Sequence, residues 1–189
     1  MQRGAARFRP VIAGLITLTV SMLFVPAGVS IVGACANDVV IEPASGVTVA
    51  AIVASSGAVT LRGLTLRGGP IGLSVKGATV TADALVVELS LGLGIDVQSG
   101  SLALKSSVIR GTTTGPARTD GIGIFAVGGT TSLDEVTIDG SAGTGLSAWR
   151  TSKVTAHGLA VVRTSKAPGG SFGWGIDVES GGSFEGTGV

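Results

Sequence analysis

Ile71-Gly72-Leu73-Ser74-Val75, Leu93-Gly94-Ile95-Asp96-Val97, Ile122-Gly123-Ile124-Phe125-Ala126, Thr144-Gly145-Leu146-Ser147-Ala148 and Trp174-Gly175-Ile176-Asp177-Val178 are versions of one short motif. Their glycines lie 22, 29, 22 and 30 residues apart. Recurrence at this period marks a repeat architecture, each unit being one small supersecondary element. Apolar residues alternate within the motif and do not recur at helical spacing, so the copies read as strands.

A second strand pattern precedes each copy. Its inward positions are Val59, Leu61, Leu64 and Leu66, then Val80, Ala82, Leu85 and Val87, then Leu102, Leu104, Ser107 and Ile109. Thr131, Leu133, Val136 and Ile138 follow, and then Val154, Ala156, Leu159 and Val161. The step from Leu61 to Leu64 carries one extra residue, as at a bend or bulge. Phe184, Gly186 and Val189 begin a further unit that the last residue interrupts. The domain is therefore expected to be incomplete at its C-terminus, with an open strand edge that invites self-association.

One unit of two short strands buries too little to fold alone, whereas stacked units bury a continuous core. Two outward columns test that stacking. One reads Arg67, Glu88, Arg110, Asp139, Arg163 and the other Arg62, Asp83, Lys105, Asp134, His157. Signs alternate from unit to unit, so stacked neighbours attract. The glycine column is read as structural, allowing positive φ or a close backbone approach. The pattern resembles the right-handed parallel β-helix family of secreted and surface proteins, with a distant likeness to its pectin-degrading members. The resemblance implies an all-β solenoid of about six coils behind an N-terminal signal segment.

Residues 1–34 carry the marks of that signal. Arg3, Arg7 and Arg9 form a basic start, residues 11–25 are an uncharged and mostly apolar run, and Pro26, Ala27 and Gly28 break it. This is the layout of an export peptide, although its length would also span a bilayer. Residues 35–189 form the repeat domain. Without residues 1–34 the charge is 10 basic against 12 acidic side chains, or −2, which offers no footprint for nucleic acid. Val32-Gly33-Ala34-Cys35 resembles a lipobox, in which Cys35 becomes the lipidated first residue. An ordinary signal-peptidase site at Ala34-Cys35-Ala36 is the competing reading. Both place the protein outside the cytoplasm, secreted or at the cell surface, and the first makes it an outer-membrane lipoprotein. Contact with a membrane is expected only through the signal or the lipid.

Insertions at residues 111–120 and 164–173 account for the two longer spacings. Insertions in a solenoid map to loops on one side, often the binding side. On the outward face of the motif strand lie Phe125, Val127 and Trp149, with Arg150 adjacent. An exposed aromatic ring can stack on a sugar, so a polysaccharide contact is expected at Trp149, flanked by Phe125, Arg150, Asp120 and Arg118. Contact of Trp149 with a covering loop or a partner is the other reading. Trp174 falls in an inward column and is expected in the core or anchoring a loop.

Thr119-Asp120-Gly121-Ile122 resembles part of the polygalacturonase Asn-Thr-Asp-Gly motif, and Ala156-His157-Gly158 resembles that family's His-Gly element. Arg118 replaces the Asn, no paired aspartates follow, and Asp120 stands alone where glycoside hydrolysis ordinarily needs two carboxylates. One His and one Cys assemble neither a nucleophilic triad nor a zinc site. The expectation is a non-catalytic binding or structural module without metal or cofactor. The alternative is a fragment or degenerate relative of a polysaccharide lyase or glycoside hydrolase.

Overall fold

A computed structural model of the chain describes residues 16–20, 22–44, 46, 50–115, 120–168 and 173–189. Among them all regular structure is β-strand, arranged in two sheets. The larger stacks Ile16–Val20, Val39–Pro43, Ala58–Arg67, Thr79–Glu88, Ser101–Lys105, Thr130–Asp134, Lys153–His157 and Ser183–Thr187 in that order. Val108–Arg110, Thr137–Asp139 and Ala160–Val162 continue its other half beside Thr79–Glu88, and Val29–Val32 pairs with Ala58–Arg67. The smaller sheet stacks Leu23–Val25, Ala50–Ala54, Ile71–Lys76, Leu93–Gln98, Ile122–Val127, Thr144–Trp149 and Trp174–Glu179. All of these pairings are parallel, each strand lying on its counterpart one repeat earlier.

Equivalent residues consequently stand in columns. Leu73 faces Ile95, which faces Ile124, then Leu146, then Ile176. On the larger sheet Val59, Leu61, Leu64 and Leu66 face Val80, Ala82, Leu85 and Val87. These inward columns merge into one hydrophobic core between the sheets. Ser107 occupies an inward position next to Leu85. Its hydroxyl accepts a hydrogen bond from the Leu85 N–H at 3.0 Å and donates to the Lys105 carbonyl at 2.6 Å. The bend itself leaves these backbone groups to be satisfied, which is why a polar residue fits that core column.

Three further columns turn the chain, all in left-handed backbone conformation. Gly63, Ala84, Ser106, Glu135 and Gly158, with φ from 44° to 63°, are the extra residue expected at the bend. Gly68, Leu89, Gly111, Gly140 and Arg163 follow the larger-sheet strand, and Gly77, Ser99, Gly128, Arg150 and Ser180 follow the smaller-sheet strand. A left-handed conformation costs an L-residue roughly 1–2 kcal/mol unless it is glycine or a short polar side chain such as Asn. Leu89 takes it at φ 56° with its side chain exposed. Leu89→Asn is therefore expected to stabilise the protein by about 0.5 kcal/mol. A rise of the thermal midpoint checks this; a fall would mean that Leu89 holds the adjoining loop.

Most of both charge columns form. Arg62 lies 3.3 Å from Asp83, and Asp134 lies 3.2 Å from both Lys105 and His157. Arg67 and Arg110 hold Glu88 from the two neighbouring strands. One position differs. Val162, not Arg163, is in register with Asp139. Arg163 takes the corner position occupied elsewhere by Gly68, Gly111 and Gly140, and from there its Nε donates to Asp139 Oδ1 at 2.6 Å.

The glycine column has one of its two expected causes. Gly72, Gly94, Gly123 and Gly145 do not have positive φ; each stands where a Cβ would collide with the next strand and the core.

Ile16–Val20, Leu23–Val25 and Val29–Val32, which fall in the segment read above as the export signal, hold places in the same sheets. Ile16–Val20 pairs with Val39–Pro43, and Leu23 and Val25 face Ile52 and Ala54. An uncharged run rich in Val, Ile, Leu and Thr suits a strand as well as a signal. Arg3, Arg7 and Arg9 lie outside the described residues. At the other end, Trp174 is 45% exposed and not in the core. Leu93, Ile122 and Thr144 in its column each have a described neighbouring strand on both sides, whereas Trp174–Glu179 is the edge of the smaller sheet among the described residues.

Candidate functional site

On the face of the smaller sheet away from the core, two columns form. One runs Ser74, Asp96, Phe125, Ser147, Asp177, with Ser74, Asp96 and Ser147 buried, and the other runs Lys76, Gln98, Val127, Trp149, Glu179. Parallel pairing places successive members roughly 4.8 Å apart. Phe125 and Trp149 are thus diagonal neighbours, and their ring centroids lie 6.2 Å apart with planes inclined by 47°.

Trp149 is held on several sides. Its indole N–H donates to Glu179 Oε2 at 2.9 Å, and the Arg150 guanidinium carbon lies 5.4 Å from the ring centroid. Phe125 tilts against it, and the side chain remains half-buried. A ring fixed by neighbours loses little freedom when a ligand settles on it.

The corner beside it is strained. Arg150 and Thr151 are both left-handed, at φ 46° and 56°, where the preceding repeat has Gly128 and Gly129. A β-branched residue in that region is an outlier, and such strain concentrates at functional sites.

Two carboxylates complete the face. Asp177 accepts a hydrogen bond from Ser147 Oγ at 3.3 Å, and Glu179 accepts the one from Trp149. Burial, and then repulsion from Glu179, push the Asp177 carboxyl above its ordinary range against that serine hydrogen bond. Among the described residues neither carboxylate has an ion-pair partner, whereas Asp83, Glu88, Asp134 and Asp139 of the larger sheet all have one.

The fold thus brings together Trp149, Phe125 and Arg150. Asp120 is elsewhere: it precedes Ile122 at the start of its strand, whereas Trp149 is in register with Val127 at the end. Five strand steps separate those ends, roughly 16 Å. Residues 111–115 and 164–168 of the two insertions also precede their strands, and so approach the end opposite Trp149. Arg118 lies outside the described residues. His157 sits on the larger sheet in the Asp134 ladder. Cys35 is exposed in a turn, its carbonyl accepting from the Asp38 and Val39 N–H groups. No three His, Cys, Asp or Glu side chains among the described residues are grouped to hold a metal ion.

Sequence reasoning missed Glu179 and Asp177 as parts of this face. The signal was present: 149 to 179 and 147 to 177 repeat the 30-residue step from Gly145 to Gly175. Comparison of the chain with protein-family models, with curated proteins and with solved structures found no match, so the likeness to pectin-degrading proteins rests on the short sequence motifs alone.

Proposed function

We propose that this chain is a right-handed parallel β-helix of about six coils, exported to the cell surface or beyond, that binds a glycan on the Trp149 face without cleaving it. The observation that carries the reading is the aromatic cluster. Trp149 is oriented by Arg150, Glu179 and Phe125 on the outward face of a regular sheet. A flat apolar ring beside hydrogen-bonding groups matches a sugar, which presents C–H groups on its faces and hydroxyls at its rim. The parallel columns joined at recurrent corners support the solenoid part of this reading. The basic and apolar start of the sequence supports export, with or without a lipid on Cys35.

The enzyme alternative gains one observation, since Asp177 and Glu179 supply two carboxylates on one strand face. A retention assay on insoluble polysaccharides separates the readings. Trp149→Ala should reduce retention at least tenfold, the scale of losing a central aromatic anchor, with an unchanged circular dichroism spectrum. Retention equal to that of the unaltered protein would sink the binding reading. New reducing or unsaturated ends in the supernatant would transfer the function to the alternative.

A further inference from the structure

We propose that the ligand of the Trp149 face is a glycan bearing free amino groups, an inference that rests on the glycan-binding reading above. Asp177 and Glu179 are two residues apart on one side of Trp174–Glu179, roughly 7 Å along the strand. They stand one strand beyond Ser147 and Trp149. A sugar stacked on the indole therefore places its rim substituents over two carboxylates roughly 5 Å away.

The charges here are arranged unlike those of the two ladders on the larger sheet. On the larger sheet every carboxylate of the two ladders meets an Arg, Lys or His on a neighbouring strand. Asp177 and Glu179 accept instead from the Ser147 hydroxyl and the Trp149 indole, and among the described residues no cation forms an ion pair with them. The Arg150 guanidinium lies over the Trp149 ring. Burial first and then repulsion from Glu179 raise the Asp177 carboxyl, and a ligand ammonium beside the two acids relieves that repulsion. The rings add to the attraction, because their π faces draw cations.

Other glycan classes fit less well. A polymer of uronic acids would bring its own carboxylates against Asp177 and Glu179, and like charges in contact disfavour binding. A neutral polymer would stack on Trp149 but leave the acidic pair uncompensated. An amino sugar uses both the ring and the pair.

The test measures binding of the full chain at low ionic strength to a β-linked glucosamine oligomer, its fully N-acetylated counterpart, an oligogalacturonate and a lysine oligopeptide of equal charge. The free-amine oligomer should bind at least tenfold more tightly than the acetylated one, a preference that shrinks as salt rises. Asp177→Asn combined with Glu179→Gln should reduce that preference to within twofold. Glu185→Gln, an exposed acid on Ser183–Thr187, should leave it intact. Equal affinity for the two oligomers, preference for oligogalacturonate, or an equal loss in the Glu185 variant would overturn the inference. So would lysine oligopeptide binding of equal strength, which would replace the sugar with a basic peptide. Trp149-dependent binding of the acetylated oligomer alone would leave the glycan-binding reading standing, whereas binding to no glycan removes both.

Discussion

Replacing Gly123 by alanine is expected to destabilise the protein by about 3 kcal/mol, while the same change at Gly175 is expected to shift it by no more than about 0.5 kcal/mol. Both residues sit at one motif position, and neither has positive φ. In an ordinary strand the change would help slightly, since glycine loses more backbone freedom on folding. Surroundings decide the sign. A Cβ on Gly123 would lie 2.5 Å from Ile138 Cγ2, 2.6 Å from the Gly145 carbonyl oxygen and 2.9 Å from Ser141 Oγ. Two of these neighbours are core groups and the third is backbone of the next strand, so none can move without disturbing the register. On Gly175 the nearest atom would be Val161 Cγ1, at an ordinary 3.9 Å. Urea unfolding of both variants tests this, with a thermal midpoint lower by roughly 6–12 °C for Gly123→Ala alone. Equal losses at both positions would mean that the column serves the backbone conformation and not close approach.

Glu88→Ala is expected to cost about 2 kcal/mol. The Glu88 side chain is buried, and its oxygens accept from Arg67 Nε at 2.6 Å and Arg110 Nε at 2.8 Å. Removing one partner of a fully buried pair costs about 3–5 kcal/mol. The discount here arises because the arginine side chains are 43% and 56% exposed, so water reclaims them once the carboxylate is gone. Burial by itself pushes the Glu88 carboxyl up, but hydrogen bonds from Arg67 and Arg110, with their charges, outweigh it and hold the group below its ordinary range. A carboxyl lowered in the native state releases its proton there more readily than in the unfolded chain. Its stabilisation is complete above the unfolded value of about 4.3 and is lost as pH falls through the lower native one. The acid limb of the stability curve should accordingly be shallower in Glu88→Ala. Coincident acid limbs in the two proteins would show that Glu88 is not the group responsible.

These two experiments bear on different forces. Gly123 tests how closely the strands and core residues approach one another, and Glu88 tests the exposed ladders that specify which strand lies on which. Surface ion pairs contribute little individually. Their alternation still penalises a stack slipped by one unit, which would set Arg67 against Arg110. Register in a repeat protein has many near-equivalent alternatives, and like-charge repulsion excludes them.

Much of the stacking was legible before any coordinates. The alternation in Val59-Thr60-Leu61 and Val80-Thr81-Ala82, and the 22-residue and longer steps between copies, specify which side chains share a column. Arg163 was placed one residue out of register because Val161 and Val162 are equally apolar, and local pattern cannot tell which residue turns the corner. The buried hydroxyls of Ser90, Thr112 and Ser141, beneath Gly72, Gly94 and Gly123, also escaped notice because Ser and Thr carry no apolar signal.

The candidate face divides in the same way. Trp149, Phe125 and Arg150 could be grouped from sequence because adjacent columns in adjacent repeats must be neighbours. Asp120 could not be excluded from that group until its strand had direction and length, which set it at the far end. The sequence by itself determined the parallel stacked strands, the inward columns and the alternating charges, because each depends only on a period of two within strands and a fixed step between repeats. The tertiary structure alone decided that Trp149 is held by Glu179 and Arg150, that Trp174 is exposed, and that Asp177 and Glu179 lie beside Ser147 and Trp149 with no ion pair among the described residues. Those outcomes depend on how strands end and what lies beyond them, and periodicity carries no information about a boundary.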